Sequence, residues 1–210
     1  MKNKKLIKNI TIDAIFLAIF ILFTFVPYLG FYQIGIISFT IIHVFVLIGA
    51  MVFGVKKATL FGFFFGILSL LKAIMYPGTL DFLFINPFIS VLPRVLFGFL
   101  SGLLFDYLRK IPNKKTYYGL CVAGAALMTL VHTTLTLTCL FVFGILDVFQ
   151  MASLLGLEAL INEFKNSPEY ALAFFGGIIS PGAGIEIAVA AITVPSITLA
   201  LEKANVNKDI

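Results

Sequence analysis

Charge is scarce in this sequence: charged residues make up 12% of its 210 residues, about half the share usual in a soluble domain. Hydrophobic residues make up 60%, and a mean hydropathy of +1.08 indicates a chain that prefers lipid to water. No polar stretch is long enough to fold into an aqueous domain, and no phosphate-binding loop is present. Any ATPase activity must therefore come from a partner protein.

Cysteine and histidine are also scarce, with two of each. Cys121 and Cys139 lie in one apolar segment, where a helix would separate them by roughly 27 Å, far beyond the reach of a disulfide. His43 and His132 have neither a cysteine nor a second histidine nearby in the sequence, so we expect no metal site. No Ser-His-Asp pattern and no charged motif of a membrane phosphotransferase is legible. We therefore expect a protein that is not an enzyme and that has no cofactor.

Six apolar segments have about the 20 residues that a membrane helix needs. They cover approximately residues 8–29, 33–54, 58–75, 88–108, 117–143 and 171–201. The first is too long for a signal peptide, so we interpret it as a retained span. We predict an all-α integral membrane protein in which residues 1–210 form one domain, a bundle of six transmembrane helices.

Two interruptions are predicted near the end of the chain. Residues 144–170 are less apolar than their surroundings, which predicts a long outer loop with an amphipathic helix before the last span. The sequence Ser-Pro-Gly-Ala-Gly at 180–184 predicts an unwound or re-entrant stretch within that span.

The basic residues predict the orientation. With six spans, both termini lie on the same side as the 56–57 turn and the 109–115 connection, and twelve of the fifteen basic residues fall on that side. Because lysine and arginine concentrate in cytoplasmic loops, both termini are predicted to be cytoplasmic. The net charge of +5 then suits anionic lipid headgroups better than nucleic acid.

Ionisable side chains within apolar spans are costly, and they usually have a function or a partner. Asp13 and Asp106 lie near cytoplasmic ends and are interpreted as interfacial carboxylates. Lys72 and Arg94 flank the 76–87 connection and can face one outward chamber. With no intramembrane carboxylate beside them, an anionic ligand would relieve their repulsion, and arginine can bind a carboxylate with two donors. The alternative for Lys72 is that it snorkels to the outer interface.

Further polar residues lie in the second, fifth and sixth spans. His43 lies near the middle of the second, and Glu186 lies in the sixth. Thr129, His132, Thr133 and Thr136 fall on one face of the fifth. We expect His43 and the polar face of the fifth span to line the chamber, and Glu186 to accept hydrogen bonds from ligand hydroxyls. The alternatives are that His43 is a buried hydrogen-bonding residue, that Glu186 pairs with a cation or histidine of the protein, and that the threonines bond back to their own helix.

Small residues recur four apart, a spacing that lets helices approach closely. The pairs are Ala14–Ala18, Gly62–Gly66 and Gly98–Gly102.

Three segments resemble a known family. FTIIHVFVLIGAMVFGVKKATLFGFFFGILSLLKA (39–73) and FLFINPFISVLPRVLFGFLSGLLF (82–105) are similar to the pattern His-x-x-x-x-Ile-Gly, a glycine-rich third span, and Pro-Arg-x-x-x-Gly opening the fourth. GAGIEIAVAAITVPSI (182–197) continues the likeness. The pattern resembles the substrate-binding S component of an energy-coupling factor (ECF) vitamin transporter, with the pantothenate-type group as the best match. The fifth span departs from it, with His132-Thr133-Thr134 where an Asn-Thr pair is expected.

The resemblance implies a plasma-membrane protein that binds a vitamin from outside with high affinity. It implies docking, through Ala14 and Ala18, onto a transmembrane coupling subunit that works with two ATPases. For a pantothenate ligand, Arg94 and Lys72 would bind the carboxylate. The hydroxyls and amide of the ligand would be bound by His43, Asn86, His132, Thr133, Thr136 and Glu186.

Three alternatives stay open. In the first, the ligand is another vitamin, such as folate, riboflavin or a thiamin precursor. In the second, the protein is an autonomous channel or carrier. The third, a small enzyme acting on lipid, would need clustered carboxylates or an activated nucleophile, and neither is found.

Overall fold

The computed structural model describes residues 2–34, 37–76, 81–154, 162 and 166–204, and most of this backbone is helical. The elements, in chain order, are α1 (Lys2–Phe25), β1 (Phe31–Ile34), β2 (Ile37–Thr40), α2 (His43–Phe53), α3 (Val55–Met75), a 3-10 helix (Asp81–Ile85), α4 (Pro87–Ser90), α5 (Leu92–Leu108), α6 (Lys114–Leu154) and α7 (Pro168–Lys203).

Five helical segments are long and apolar enough to cross a membrane, and α2 is a shorter apolar helix. The five segments are Asn3–Phe25, Val55–Met75, Pro87–Leu108, Lys114–Gly144 and Gly182–Leu201. The predicted all-α membrane bundle is confirmed. The cytoplasmic orientation of both termini stays a prediction, as does the single domain over residues 1–210.

The prediction of one continuous span over residues 33–54 is wrong. Phe31–Ile34 and Ile37–Thr40 pair as an antiparallel hairpin, and only His43–Phe53 is helical. These 11 residues rise about 16 Å, roughly half of the hydrocarbon thickness. Hydropathy alone cannot separate a buried strand from a helix, so the sequence did not distinguish the two.

The two predicted interruptions also differ from the structure. The predicted loop over 144–170 is wrong at both ends, because α6 continues to Leu154 and α7 begins at Pro168, and most of the stretch between them lies outside the described residues. The predicted break at 180–184 is wrong, since α7 runs through it without interruption. Membrane helices tolerate proline and glycine, because surrounding groups compensate for the lost backbone bonds.

Phenylalanine rings form the centre of the bundle. Phe20, Phe61, Phe65, Phe97 and Phe105 are fully buried. The rings of Phe16 on α1 and Phe61 on α3 stack with centroids 4.3 Å apart. These contacts fix one face of α1, while much of the rest of that helix is exposed.

Glycines bring α3 and α5 into backbone contact, which confirms the close approach predicted from their spacing. A Cβ on Gly62 would meet the Arg94 carbonyl oxygen, and one on Gly98 would meet the Ala58 carbonyl oxygen. Only hydrogen fits between the two backbones at these points. The packing therefore fixes the height of Arg94 along α5.

The α2–α3 junction is tied to the end of α5. Gly54 has a φ of 83°, a conformation that glycine adopts without strain. The Val55 amide donates to Asp106 at 3.2 Å, and Arg109 pairs with Asp106 at 3.0 Å. Asp13 on α1 binds Lys57 at 2.6 Å. Both carboxylates thus have structural partners.

We predict that Gly98→Ala lowers the free energy of unfolding by about 1–3 kcal/mol, because the added methyl group overlaps the Ala58 backbone. Gly119→Ala is the matched control, since nothing lies within 4 Å of a Cβ there, and it should be neutral or stabilising by up to about 1 kcal/mol. Unfolding of the purified protein in mild detergent measures both. Equal stability of the two variants would contradict the close α3–α5 contact.

Candidate functional site

Two histidines from distant parts of the chain meet in the bundle. His43 begins α2 directly after the hairpin, and His132 lies on α6. Both are buried, and their rings lie 5.5 Å apart between centroids at an angle of 13°. None of the four ring nitrogens forms a hydrogen bond of ordinary geometry with the described residues. Such buried polar atoms are costly unless something else bonds them.

Glu186 on α7 lies beside this histidine pair. Its Oε1 accepts a hydrogen bond from the Thr40 backbone amide at 2.7 Å, which joins the hairpin to α7. Donor atoms of His43, His132 and Glu186 lie within 4.8 Å of one another, a separation from which they could hold a metal ion. The expectation of no metal cluster overlooked this grouping, because residues 43, 132 and 186 are adjacent only after folding.

Arg94 is buried on α5 between two aromatic rings. Its guanidinium carbon lies 5.5 Å from the centroid of Phe65 and 5.2 Å from that of Phe84. One terminal nitrogen donates to the Ile89 carbonyl oxygen, while Nε has no hydrogen-bond partner among the described residues. The charge is close enough to act on Glu186 and His132.

Aromatic rings connect Arg94 with the histidine pair. Phe65 contacts both Arg94 and His132, and Phe97 packs against both histidine rings. Sequence reasoning missed these two residues. Phe97 lies one turn after Arg94 on the same face of α5. This spacing was the sequence signal that could have identified Phe97 as a site residue.

The polar face of α6 points inward as predicted, since Thr129, His132, Thr133 and Thr136 are all buried. The first two threonines bond back to their own helix: Thr129 donates to the Ala125 carbonyl, and Thr133 donates to the Thr129 carbonyl. The Thr136 hydroxyl has no partner among the described residues. Thr136 is therefore the threonine whose hydroxyl is available.

The predicted lack of a carboxylate beside Lys72 is wrong. Lys72 at the end of α3 binds Asp81 at 2.8 Å and lies 4.8 Å from the ring centroid of Phe31. Asp81 lies at the start of the 3-10 helix, so the partner comes from the connection itself. Lys72 and Arg94 thus have different surroundings.

Asn86 has a local structural task. Its side chain accepts from the Phe88 amide at 3.0 Å and caps α4. The hydroxyl of Ser90, at the other end of α4, donates to the Phe84 carbonyl. These bonds hold the connection whose Phe84 ring and Ile89 carbonyl contact Arg94.

The eight predicted site residues therefore divide into two groups. The first group is buried, and in it His43, His132 and Glu186 lie together, with Arg94 linked to His132 through Phe65; its members are His43, Arg94, His132, Thr133, Thr136 and Glu186. Lys72 and Asn86 lie at the 76–87 connection, in structural contacts of their own. The interior group offers a cation, a set of hydrogen-bond donors and acceptors, and the Phe65 ring, which contacts both Arg94 and His132. This arrangement suits a small molecule with an anionic end and a polar end.

We predict that Glu186→Ala lowers the free energy of unfolding by about 1–3 kcal/mol, because it leaves the buried Thr40 amide without an acceptor. Glu186→Gln is the matched control, since its amide oxygen can still accept this bond. Thermal unfolding in detergent compares the two variants with the parent. If both lose the same stability, the Thr40 bond does not carry the effect.

Comparison with known proteins adds an independent result. The family described as "ECF transporter, substrate-specific component" matches residues 8–198. The chain is 34% identical over 111 residues to the pantothenate transporter PanT of Leuconostoc mesenteroides, an alignment that covers 50% of the chain and 54% of that relative. It is 27% identical over 228 aligned positions to the pantothenic acid transporter PanT of Lactococcus lactis subsp. cremoris, covering 99% and 100%.

The family match extends over nearly the whole chain and agrees with the apolar helical bundle. The members of this family are substrate-binding components of transporters, and the family is not one of enzymes. This chain is a multi-pass membrane protein that belongs to the family of ECF transporter substrate-specific components.

Proposed function

We propose that this chain is the vitamin-binding subunit of an ATP-driven ECF importer in the plasma membrane, and that its ligand is pantothenate. The observation that carries the proposal is the state of Arg94, which is 4% exposed and forms no ion pair with a described carboxylate. A buried cation without a carboxylate in direct contact is costly. An anionic ligand offsets that cost when it binds.

The polar atoms left without partners agree with the chemistry of pantothenate, which has one carboxylate, two hydroxyls and an amide. Arg94 binds the carboxylate through its unused donors. His43, His132 and Thr136 serve the hydroxyls and the amide, and Glu186 accepts from a hydroxyl. The Thr133 hydroxyl donates its hydrogen within the helix, and its oxygen can still accept a hydrogen bond from the ligand.

Lys72 and Asn86 lie at the outer side of the proposed site. The 3-10 helix that begins at Asp81 supplies Phe84, and α4, which Asn86 caps, supplies Ile89; both contact Arg94. Ligand entering from outside passes these two elements, and Lys72 attracts its carboxylate on the way. Its ion pair with Asp81 makes Lys72 a weaker anion site than Arg94.

The proposed partners are a transmembrane coupling subunit and two ATPases, and the chain itself carries no catalysis. Ala14 and Ala18 are both exposed on α1, which leaves their face open to a partner helix. Small side chains allow such helices to pack closely. With both termini in the cytoplasm, the 3-10 helix and α4 beside Arg94 face the outside.

We predict that Arg94→Ala weakens pantothenate binding about 10–150-fold, the factor that corresponds to the loss of one charge-assisted hydrogen bond. Isothermal titration of the purified protein measures the affinity. Lys110→Ala, which changes an exposed basic residue, is the matched control and should bind as the parent does. Lys72→Ala should show a smaller loss than Arg94→Ala.

Unchanged affinity of Arg94→Ala, with the fold verified by thermal unfolding, would remove Arg94 from the site. Competition by folate, riboflavin or a thiamin precursor but not by pantothenate would reassign the ligand within the same class. Uptake by liposomes that contain this chain alone would instead indicate an autonomous carrier.

We predict that Ala14→Phe and Ala18→Phe leave pantothenate binding by the isolated protein unchanged but abolish vitamin uptake in cells. The bulky ring faces away from the site and prevents a partner helix from approaching. Ala123→Phe, at an exposed position on α6, is the matched control and should retain uptake. Normal co-purification of both α1 variants with the coupling subunit and ATPases would contradict this interface.

A further inference from the structure

We infer that His43, His132 and Glu186 form a binding site for a divalent transition metal, for which Zn²⁺ is the probe. The inference rests on the geometry of these three side chains and does not depend on pantothenate being the ligand. The proposed function assigns the same side chains to the polar end of pantothenate, so a bound metal ion and the vitamin compete for them. All three are buried, and their donor atoms lie within 4.8 Å of one another.

The donor set has the composition that Zn²⁺ prefers. Two imidazoles and one carboxylate make up the protein ligands of many zinc sites that keep a fourth position open. Donor atoms around tetrahedral Zn²⁺ lie about 3.4 Å apart, given bonds of about 2.0–2.1 Å. The three groups must therefore close by at most about 1.4 Å from the 4.8 Å limit, a change within reach of side-chain rotation.

The histidine ring nitrogens give a second argument for a metal ion. All four ring nitrogens of His43 and His132 are enclosed. Apart from the approach of the Thr40 backbone to the His43 ring, they have no hydrogen-bond partner in the described part of the chain. A metal ion bonds one nitrogen of each ring and removes much of this cost. Low exposure also protects the bonds from competing water.

The surroundings supply the outer contacts that metal ligands usually have. The Thr40 amide holds Glu186 Oε1 at 2.7 Å, which fixes the carboxylate. The Thr40 backbone also lies close enough to His43 to interact with its ring. Thr40 itself is anchored, because its hydroxyl donates to the Gly30 carbonyl at 3.0 Å.

Arg94 opposes a cation at this site. Its charge acts on both Glu186 and His132, so it repels a metal ion that these residues hold. The same charge favours an anion. The metal site and the proposed carboxylate site therefore respond in opposite directions to the loss of Arg94, which separates the two proposals experimentally.

The test measures Zn²⁺ binding to the full-length protein in detergent, purified with a tag that contains no histidine. Cys121→Ser/Cys139→Ser serves as the background, because thiolates are the other strong zinc ligands in the chain. We expect about one Zn²⁺ per chain, and an affinity reduced at least about tenfold by His43→Ala or His132→Ala. Glu186→Gln, which can keep the Thr40 bond, should also bind Zn²⁺ more weakly.

Arg94→Ala should bind Zn²⁺ more tightly than the parent, whereas its pantothenate affinity falls. X-ray absorption of the bound zinc should show only nitrogen and oxygen neighbours, with two imidazoles. Zinc bound equally well by the folded His43→Ala/His132→Ala variant, or no zinc bound by the parent, would overturn the metal site. Pantothenate titration in the presence of a chelator tests the proposed transport function separately.

Discussion

The interior of a membrane bundle must satisfy its polar groups without help from bulk water, and this constraint connects most features of the chain. Charged residues are few, and six of them form local ion pairs: Asp13–Lys57, Lys72–Asp81 and Asp106–Arg109. Among the described residues, six buried polar atoms without hydrogen-bond partners belong to His43, Arg94, His132 and Thr136, and others lie on α1, α5 and α7. A buried polar atom that the chain does not satisfy is a natural place for a ligand.

Packing determines where these polar groups lie. The glycines of α3 and α5 let the two backbones touch, and one of these contacts is made with the carbonyl of Arg94 itself. Phe65 contacts both Arg94 and His132, and Phe97 packs against the two histidine rings. Aromatic rings thus line the interior beside the cation and the imidazoles.

The hairpin has a role that hydropathy did not indicate. Strand backbone at membrane depth is tolerated where protein covers it, and here β2 is joined to α7 through the bond from Thr40 to Glu186. The hairpin also shortens the helix that follows, so His43 becomes the first residue of α2. A histidine predicted in the middle of a span lies instead at the junction of a strand and a helix.

The sequence by itself determined the membrane class, the inward polar face of α6 and the close α3–α5 contact, because these follow from composition and from spacing along single helices. It did not determine the hairpin, because hydropathy does not separate a buried strand from a helix. It did not determine the continuous α7, because proline and glycine are tolerated within membrane helices, or the partner of Lys72, which lies on the short 3-10 helix after α3. Only the tertiary structure brought His43, His132 and Glu186 together. Residues on three separate elements have no fixed spacing in a sequence, and their distances arise only when the helices pack.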